Sequence, residues 1–272
     1  MKSPYYILLL VLIFCLSCDI KLKRNEDAIN NFVEIQRYDR IETRYLTTGD
    51  FSALQQMMSG YPMQTRTLIE DVLSLGDVNE PDINNTFLKF FQDSTLQGLI
   101  SDAELQYASM DDINKGLSEG FYNLKKMIPS IKIPDVYAQI GALSQSIVIG
   151  DGTIGICLDK YLGSKYHLYK KYYSKSQYMS MTREYIVPDC LSFYLLSLYQ
   201  SKKQDKLTPL QKDLHMGCIM WVTNKALDKK FFKTKYVLVV DKYMKKHSNI
   251  DISTFLKTPD FKVLEDIAKN KK

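Results

Sequence analysis

The sequence predicts an α+β fold, mostly helical with a small antiparallel sheet. Three observations lead there. Apolar residues recur at helical spacing through most of the chain. The stretch 135–159 is different, made of short runs rich in β-branched and aromatic residues. Within it, Asp151-Gly152 is a favoured two-residue hairpin turn, because both residues tolerate positive φ.

The elements follow in order. From Ala28 to about Leu46, Ile29, Phe32, Val33, Ile35, Tyr38, Ile41 and Tyr45 suit a helix, although Val33-Glu-Ile35 also alternates as a strand would. Asp50 then opens a short helix as an acidic N-cap, with Gly60 at its end. Helical patterns continue at about 63–75, 84–91, 111–127, 183–200, 208–228 and 234–246, and Pro129 and Pro134 bracket a break. Between them, Val136–Ile140, Ser146–Ile149 and Thr153–Leu158 read as short strands. The expected organisation is one α+β domain over 28–272: helical at 28–130, sheet at 134–159 and helical again at 160–272.

The start of the chain has another character. Lys2 precedes an unbroken apolar run, Tyr5–Leu16, about the length of a signal-peptide core and short of the ~20 residues that span a bilayer. It ends in Leu16-Ser17-Cys18, the pattern of a bacterial lipobox. Residues 1–17 are thus read as a lipoprotein signal, Cys18 as the lipidated first residue and 18–27 as a polar tether. The competing reading is an ordinary cleaved signal with a chance cysteine. After the signal only Cys157, Cys190 and Cys218 remain, an odd number with no CxxC pair, so no disulfide framework is expected and buried thiols are.

Charge is split along the chain. Residues 19–135 carry 12 Lys+Arg against 19 Asp+Glu, and residues 136–272 carry 23 against 12. The basic half admits docking on anionic lipid or glycan, or on an oppositely charged partner; two solvated faces of one fold explain the split equally well. Export argues against nucleic acid as a partner.

The stretch Gly150-Asp-Gly152-Thr-Ile-Gly155 spells a dinucleotide fingerprint. That motif needs its last glycine to open a helix and an acidic residue about 20 positions on. Here Gly155 is followed by Ile-Cys-Leu, and the next carboxylate after Asp159 is Glu184. A hairpin feeding an edge strand fits better, and no cofactor is expected. The three histidines, His167, His215 and His247, include no H-E-x-x-H, and His215 with Cys218 one helical turn on reads as packing rather than ligation. No cysteine has a local activating base, and neither G-x-S-x-G nor a P-loop occurs. Asp189, after Pro188, reads as a cap on the first turn of the following helix.

Several blocks together resemble the GldB-type gliding motility lipoproteins of Bacteroidetes. They are the lipobox at Cys18, Ile35-Gln-Arg-Tyr-Asp39, Gly60-Tyr-Pro62, Tyr122–Tyr137, Ile154–Tyr169 and Tyr185-Ile-Val-Pro-Asp189, spanning roughly 18–200. The resemblance implies a cell-envelope lipoprotein linked to gliding motility and type IX secretion, held to the membrane through Cys18, with an envelope protein partner and no established enzymatic activity. The family is distantly similar to zinc peptidases in which an edge strand precedes an H-E-x-x-H helix. The matching elements here would be Thr153–Leu158 and the helix around Glu184–Tyr199, which lacks that motif. A glutamate ligand would be expected near Leu214-His-Met-Gly217, where Met216 stands instead, so a peptidase-like scaffold would be degenerate. Asp159, Tyr161, Leu162, Gly163, Tyr166 and Tyr169 form the block most readily read as functional, against a plainer reading of helix cap, left-handed glycine and amphipathic core. The alternative function is an exported hydrolase using Asp159, Asp189 or His167. Asp19-Ile-Lys-Leu lacks an acidic cluster, which favours a periplasm-facing location.

Overall fold

The computed structural model describes residues 33–200 and 206–269. Cys18 and the signal and tether readings lie outside the described residues. The fold is α+β and mostly helical, with a four-stranded sheet in the order β1-β2-β4-β3, where β1 is Ile35–Gln36, β2 Asp135–Gln139, β3 Ile147–Gly150 and β4 Thr153–Cys157.

The sheet is mixed, which corrects the antiparallel expectation. The β3–β4 hairpin is antiparallel over Asp151-Gly152 as the turn chemistry requires, but β1 pairs parallel with β2, and β2 parallel with β4. Parallel neighbours need a crossover. For β1 to β2 that crossover is the whole first helical block: α1 (Tyr38–Thr48), α2 (Phe51–Gly60), α3 (Pro62–Arg66) with a π turn at Thr67–Val72, α4 (Ile83–Phe90), α5 (Ser94–Gln106) and α6 (Asp111–Met127). From β2 the chain crosses the end of the β4 position, runs back as β3 and returns as β4. Thr153–Cys157 is therefore an interior strand, not the edge strand anticipated, and its near-continuous apolar run reflects burial on both faces.

Local chemistry fixes the helix starts. Asp50 caps α2 through the backbone N–H of Ser52, and Asp93 caps α5 through Thr95 and Leu96. The short strand β1 has its outer edge covered by α6, whose Asn114 accepts from the Ile35 N–H (3.1 Å) and whose Ser118 accepts from the Val33 N–H (2.8 Å).

After the sheet come the short helices α7 (Tyr169–Tyr172) and α8 (Lys175–Tyr178), then α9 (Ile186–Leu198), α10 (Pro209–Ala226), α11 (Lys235–Lys246), α12 (Ile252–Lys257) and α13 (Phe261–Lys269). α1 packs on β2 and α9 on β3 and β4; α6 and α10 pack against α9, and α11, α12 and α13 extend the helical layer from α10. Most buried apolar residues, from Val33 to Leu264, form one contiguous core, with Leu99, Leu168, Tyr169 and Met181 buried outside it. No described helix is long and apolar enough to cross a membrane.

Candidate functional site

The sheet brings two loops together at one end. The segment Ile140–Ser146 leaves the C-terminal end of β2 and must pass the C-terminal end of β4 to reach β3. Its backbone there is unusual: Ala142 and Leu143 both hold positive φ, which non-glycine residues rarely adopt. Such a loop, pressed against the core, leaves N–H groups that need acceptors. Asp159, in the 3₁₀ turn Leu158–Lys160 just after β4, supplies both. One carboxylate oxygen accepts from the Gly141 N–H at 2.7 Å, the other from the Leu143 N–H at 2.5 Å.

The rest of the block builds the same corner. Tyr169 donates to the Asp159 carbonyl (2.6 Å) and accepts from the Leu162 N–H (2.8 Å), while Tyr107 donates to the Tyr161 carbonyl (2.6 Å). Tyr173 donates to the Leu143 carbonyl, and the Lys160 ammonium lies over the Tyr173 ring, 3.9 Å from its centroid. Gly163, at φ +112, lets its N–H reach the Met181 carbonyl. Tyr166 is partly exposed and donates to Asp102 (2.9 Å). Asp159, Tyr161 and Tyr169 are thus buried parts of one hydrogen-bonded corner, and Asp159 caps no long helix.

Asp189 also departs from its expected role. It sits inside the first turn of α9, not at its cap, and accepts from the Tyr161 hydroxyl at 2.9 Å. Burial pushes its carboxyl up to about 7, against the opposing pull of that hydrogen bond. His167 is exposed and lies against the Tyr166 ring. No hydrogen bond joins any two of Asp159, Asp189 and His167, and none of the three lines the cleft described below.

Two features escaped sequence reasoning. Glu42, on α1, is fully buried; one oxygen accepts from the Ile140 N–H (2.9 Å) and the other has no partner. Beside it Gln139 donates to the Cys157 thiol (3.2 Å) while its own carbonyl oxygen is unpartnered. Burial, reinforced by Asp39 and Asp159 nearby, raises the Glu42 carboxyl well above its usual range. Neither could be found from sequence, since a glutamate in an amphipathic helix carries no mark of burial.

The second feature is a cleft of about 690 Å³ between α6, the start of α9 and the loop after α10. Arg183 spans its floor, with a bidentate pair to Asp112 (2.6 and 3.0 Å) and a bond to the Ser109 carbonyl (2.8 Å). That pairing lowers the Asp112 carboxyl and raises the guanidinium. The cleft's other charged groups are three carboxylates, Glu119, Glu184 and Asp228, and one lysine, Lys229.

Burial pushes the Cys157, Cys190 and Cys218 thiols up, away from the reactive thiolate. Among the described residues no group of three His, Cys, Asp or Glu side chains is placed to hold a metal ion. His215 is buried on α10, and its desolvation lowers its pKa.

Comparison with known proteins gives one match. A family model described as gliding motility protein GldB matches residues 20–236, a span that runs beyond the motif blocks to include all of α10. No curated protein and no solved structure matches the chain.

Proposed function

The chain belongs to the GldB family of gliding motility proteins, and from that premise we propose that it is a lipid-anchored component of the cell envelope that binds or braces a protein partner of the motility and secretion machinery without catalysing a reaction. Several observations support this reading. The matched region begins at residue 20, directly behind the lipobox cysteine. The block around Asp159, the best motif of the chain, spends its polar groups on the protein's own backbone. The residues directly after Cys18, Asp19-Ile-Lys-Leu, lack an acidic cluster, which fits a periplasm-facing placement.

The single observation carrying the non-catalytic part is the closure of the Asp159 corner: both carboxylate oxygens accept loop N–H groups, leaving none aimed at a substrate. The hydrolase alternative would use Asp159, Asp189 or His167; Asp159 and Asp189 are each bonded within the protein and His167 lies against the Tyr166 ring, which counts against it.

The test has two arms. Labelled fatty acid should appear in the mature chain and be lost in Cys18→Ala, with the chain moving from the membrane to the soluble fraction. In-cell crosslinking from the folded domain should then yield an envelope protein in stoichiometric amount. A soluble wild-type chain would refute the anchor; stoichiometric zinc with peptide hydrolysis by the purified domain would refute the non-catalytic role.

A further inference from the structure

The segment between α10 and α11, Leu227–Thr234, is a shaped loop rather than a slack one. Asp228 turns the chain at φ +49, and Lys229 donates its N–H to the Asn224 carbonyl (3.1 Å). The Asn224 side chain clasps Phe232 at both backbone groups, donating to its carbonyl and accepting from its N–H, each at 2.8 Å. Phe231 packs edgewise on Tyr185, with ring centroids 4.6 Å apart.

What this loop displays is cationic around apolar side chains. Lys225, Lys229, Lys230 and Lys233 are all exposed and line a depression of about 280 Å³ together with Phe232, Leu238, the exposed Asp228 and the buried Trp221. Leu238 is 47% exposed, on the outer face of α11. Among the described residues none of the four lysines is in an ion pair. One of the two carboxylates at the depression, Asp241, is already engaged, accepting from the Trp221 indole N–H (3.2 Å) and pairing with Lys245 (2.9 Å). The four lysines outnumber the one remaining carboxylate, Asp228, and an exposed leucine stands among them.

We infer that this loop is a docking surface for an anionic phospholipid bilayer: the four lysines meet headgroup phosphates while the exposed Leu238 and the partly exposed Phe232 meet the glycerol and upper acyl region. Each part has a physical basis. Lysines near an anionic surface are attracted to it, an exposed apolar side chain between them gains by leaving water, and a loop already held in shape loses little freedom on binding. The inference deepens the envelope placement proposed above. The 14 residues between Cys18 and Val33 could extend over at most roughly 50 Å, so an anchored domain stays close to the bilayer.

The experiment removes the anchor so that the two readings fail separately. The mature chain carrying Cys18→Ser is mixed with phosphatidylglycerol-containing vesicles or pure phosphatidylcholine vesicles and floated on a density gradient, at low and high salt. Expected is partition to the anionic vesicles only, weakening as salt rises. K229E/K230E/K233E should weaken it by roughly a hundredfold, about fivefold per lysine. Leu238→Asp should weaken it at unchanged lysine content. K170E/K171E/K175E, an equal charge change on α7 and α8, should leave most of the binding intact. All substituted side chains in the loop are at least partly exposed, and thermal melts report that folding is retained. Equal binding to neutral vesicles, equal losses from the two triple variants, or association of the chain with itself in place of lipid would overturn the inference. Failure of Cys18 to take up fatty acid in cells would overturn the anchor and leave this result standing.

Discussion

The carboxylate of Asp159 holds the backbone N–H of Leu143 at 2.5 Å across a gap of 16 residues. With the Gly141 N–H at 2.7 Å, it closes the loop that must cross the end of β4. The sheet order makes this contact necessary, because β3 cannot reach the far side of β4 unless the chain passes that end. Replacing Asp159 by Asn leaves one oxygen for two donors, so one buried N–H loses its acceptor. The expected cost is about 1–3 kcal/mol of stability, read as a lower denaturant midpoint. Faster amide exchange at Leu143 or Gly141 should accompany it, and unchanged exchange at both would count against the clamp.

Asp189 gives a pH signature. Its carboxyl is raised by burial to about 7, while in the unfolded chain it titrates near 3.8. Between those values the native state binds a proton that the unfolded state has released, so this group's contribution to stability falls as pH rises from about 4 to about 7 and is level beyond. Asp189→Asn keeps an oxygen for the Tyr161 hydroxyl and removes the titration. Glu42 and Asp159 are shifted in the same direction, so the informative quantity is the variant's melting temperature minus the parent's. It should become more positive from pH 4 to pH 8; a difference independent of pH would rule the assignment out.

Local chemistry was legible in the sequence and non-local pairing was not. The Asp50 cap, the Asp151-Gly152 hairpin and the helix at 111–127 each depend on a few adjacent residues, and each appears where its residues predict it. The parallel pairing of β1 with β2 depends on two residues meeting two others about a hundred positions on, which no local pattern records. The helix at Ser94–Gln106 has its Asp93 cap but only a weak apolar stripe, so hydrophobic periodicity does not mark it. The functional block was located as residues but not as chemistry. Asp159 carries no local sign that its partners are Gly141 and Leu143, and Asp189 read as a cap because Pro188 precedes it, although the helix begins earlier at Ile186.

Glu42 separates hydrogen bonding from charge. Its Oε2 accepts from the Ile140 N–H at 2.9 Å and its Oε1 has no partner in a fully buried site, an arrangement that suits a neutral side chain. Glu42→Gln should therefore be tolerated, since an amide oxygen can still accept from Ile140. Glu42→Ala leaves that N–H unpaired and opens a cavity, with an expected loss of about 2–4 kcal/mol. Chemical denaturation of the two variants at neutral pH decides the point: equal losses would mean that the carboxylate charge itself is needed.

The glycines of Gly150-Asp-Gly152-Thr-Ile-Gly155 are kept for reasons unrelated to phosphate. Gly152 makes the hairpin turn at φ +72, with open space where a Cβ would stand. Gly155 is the cross-strand partner of Tyr137, and a Cβ there would fall 2.6 Å from the tyrosine ring. Gly152→Ala should cost about 1–2 kcal/mol through backbone strain alone. Gly155→Ala should cost about 1–3 kcal/mol through overpacking. The two mechanisms respond differently to a second change. Shrinking the ring with Tyr137→Val removes the obstacle, so Gly155→Ala should cost much less in that background, while Gly152→Ala should cost the same. A double-mutant cycle measures this coupling directly, and additivity at Gly155 would show that its reason for being glycine lies elsewhere than the Tyr137 ring.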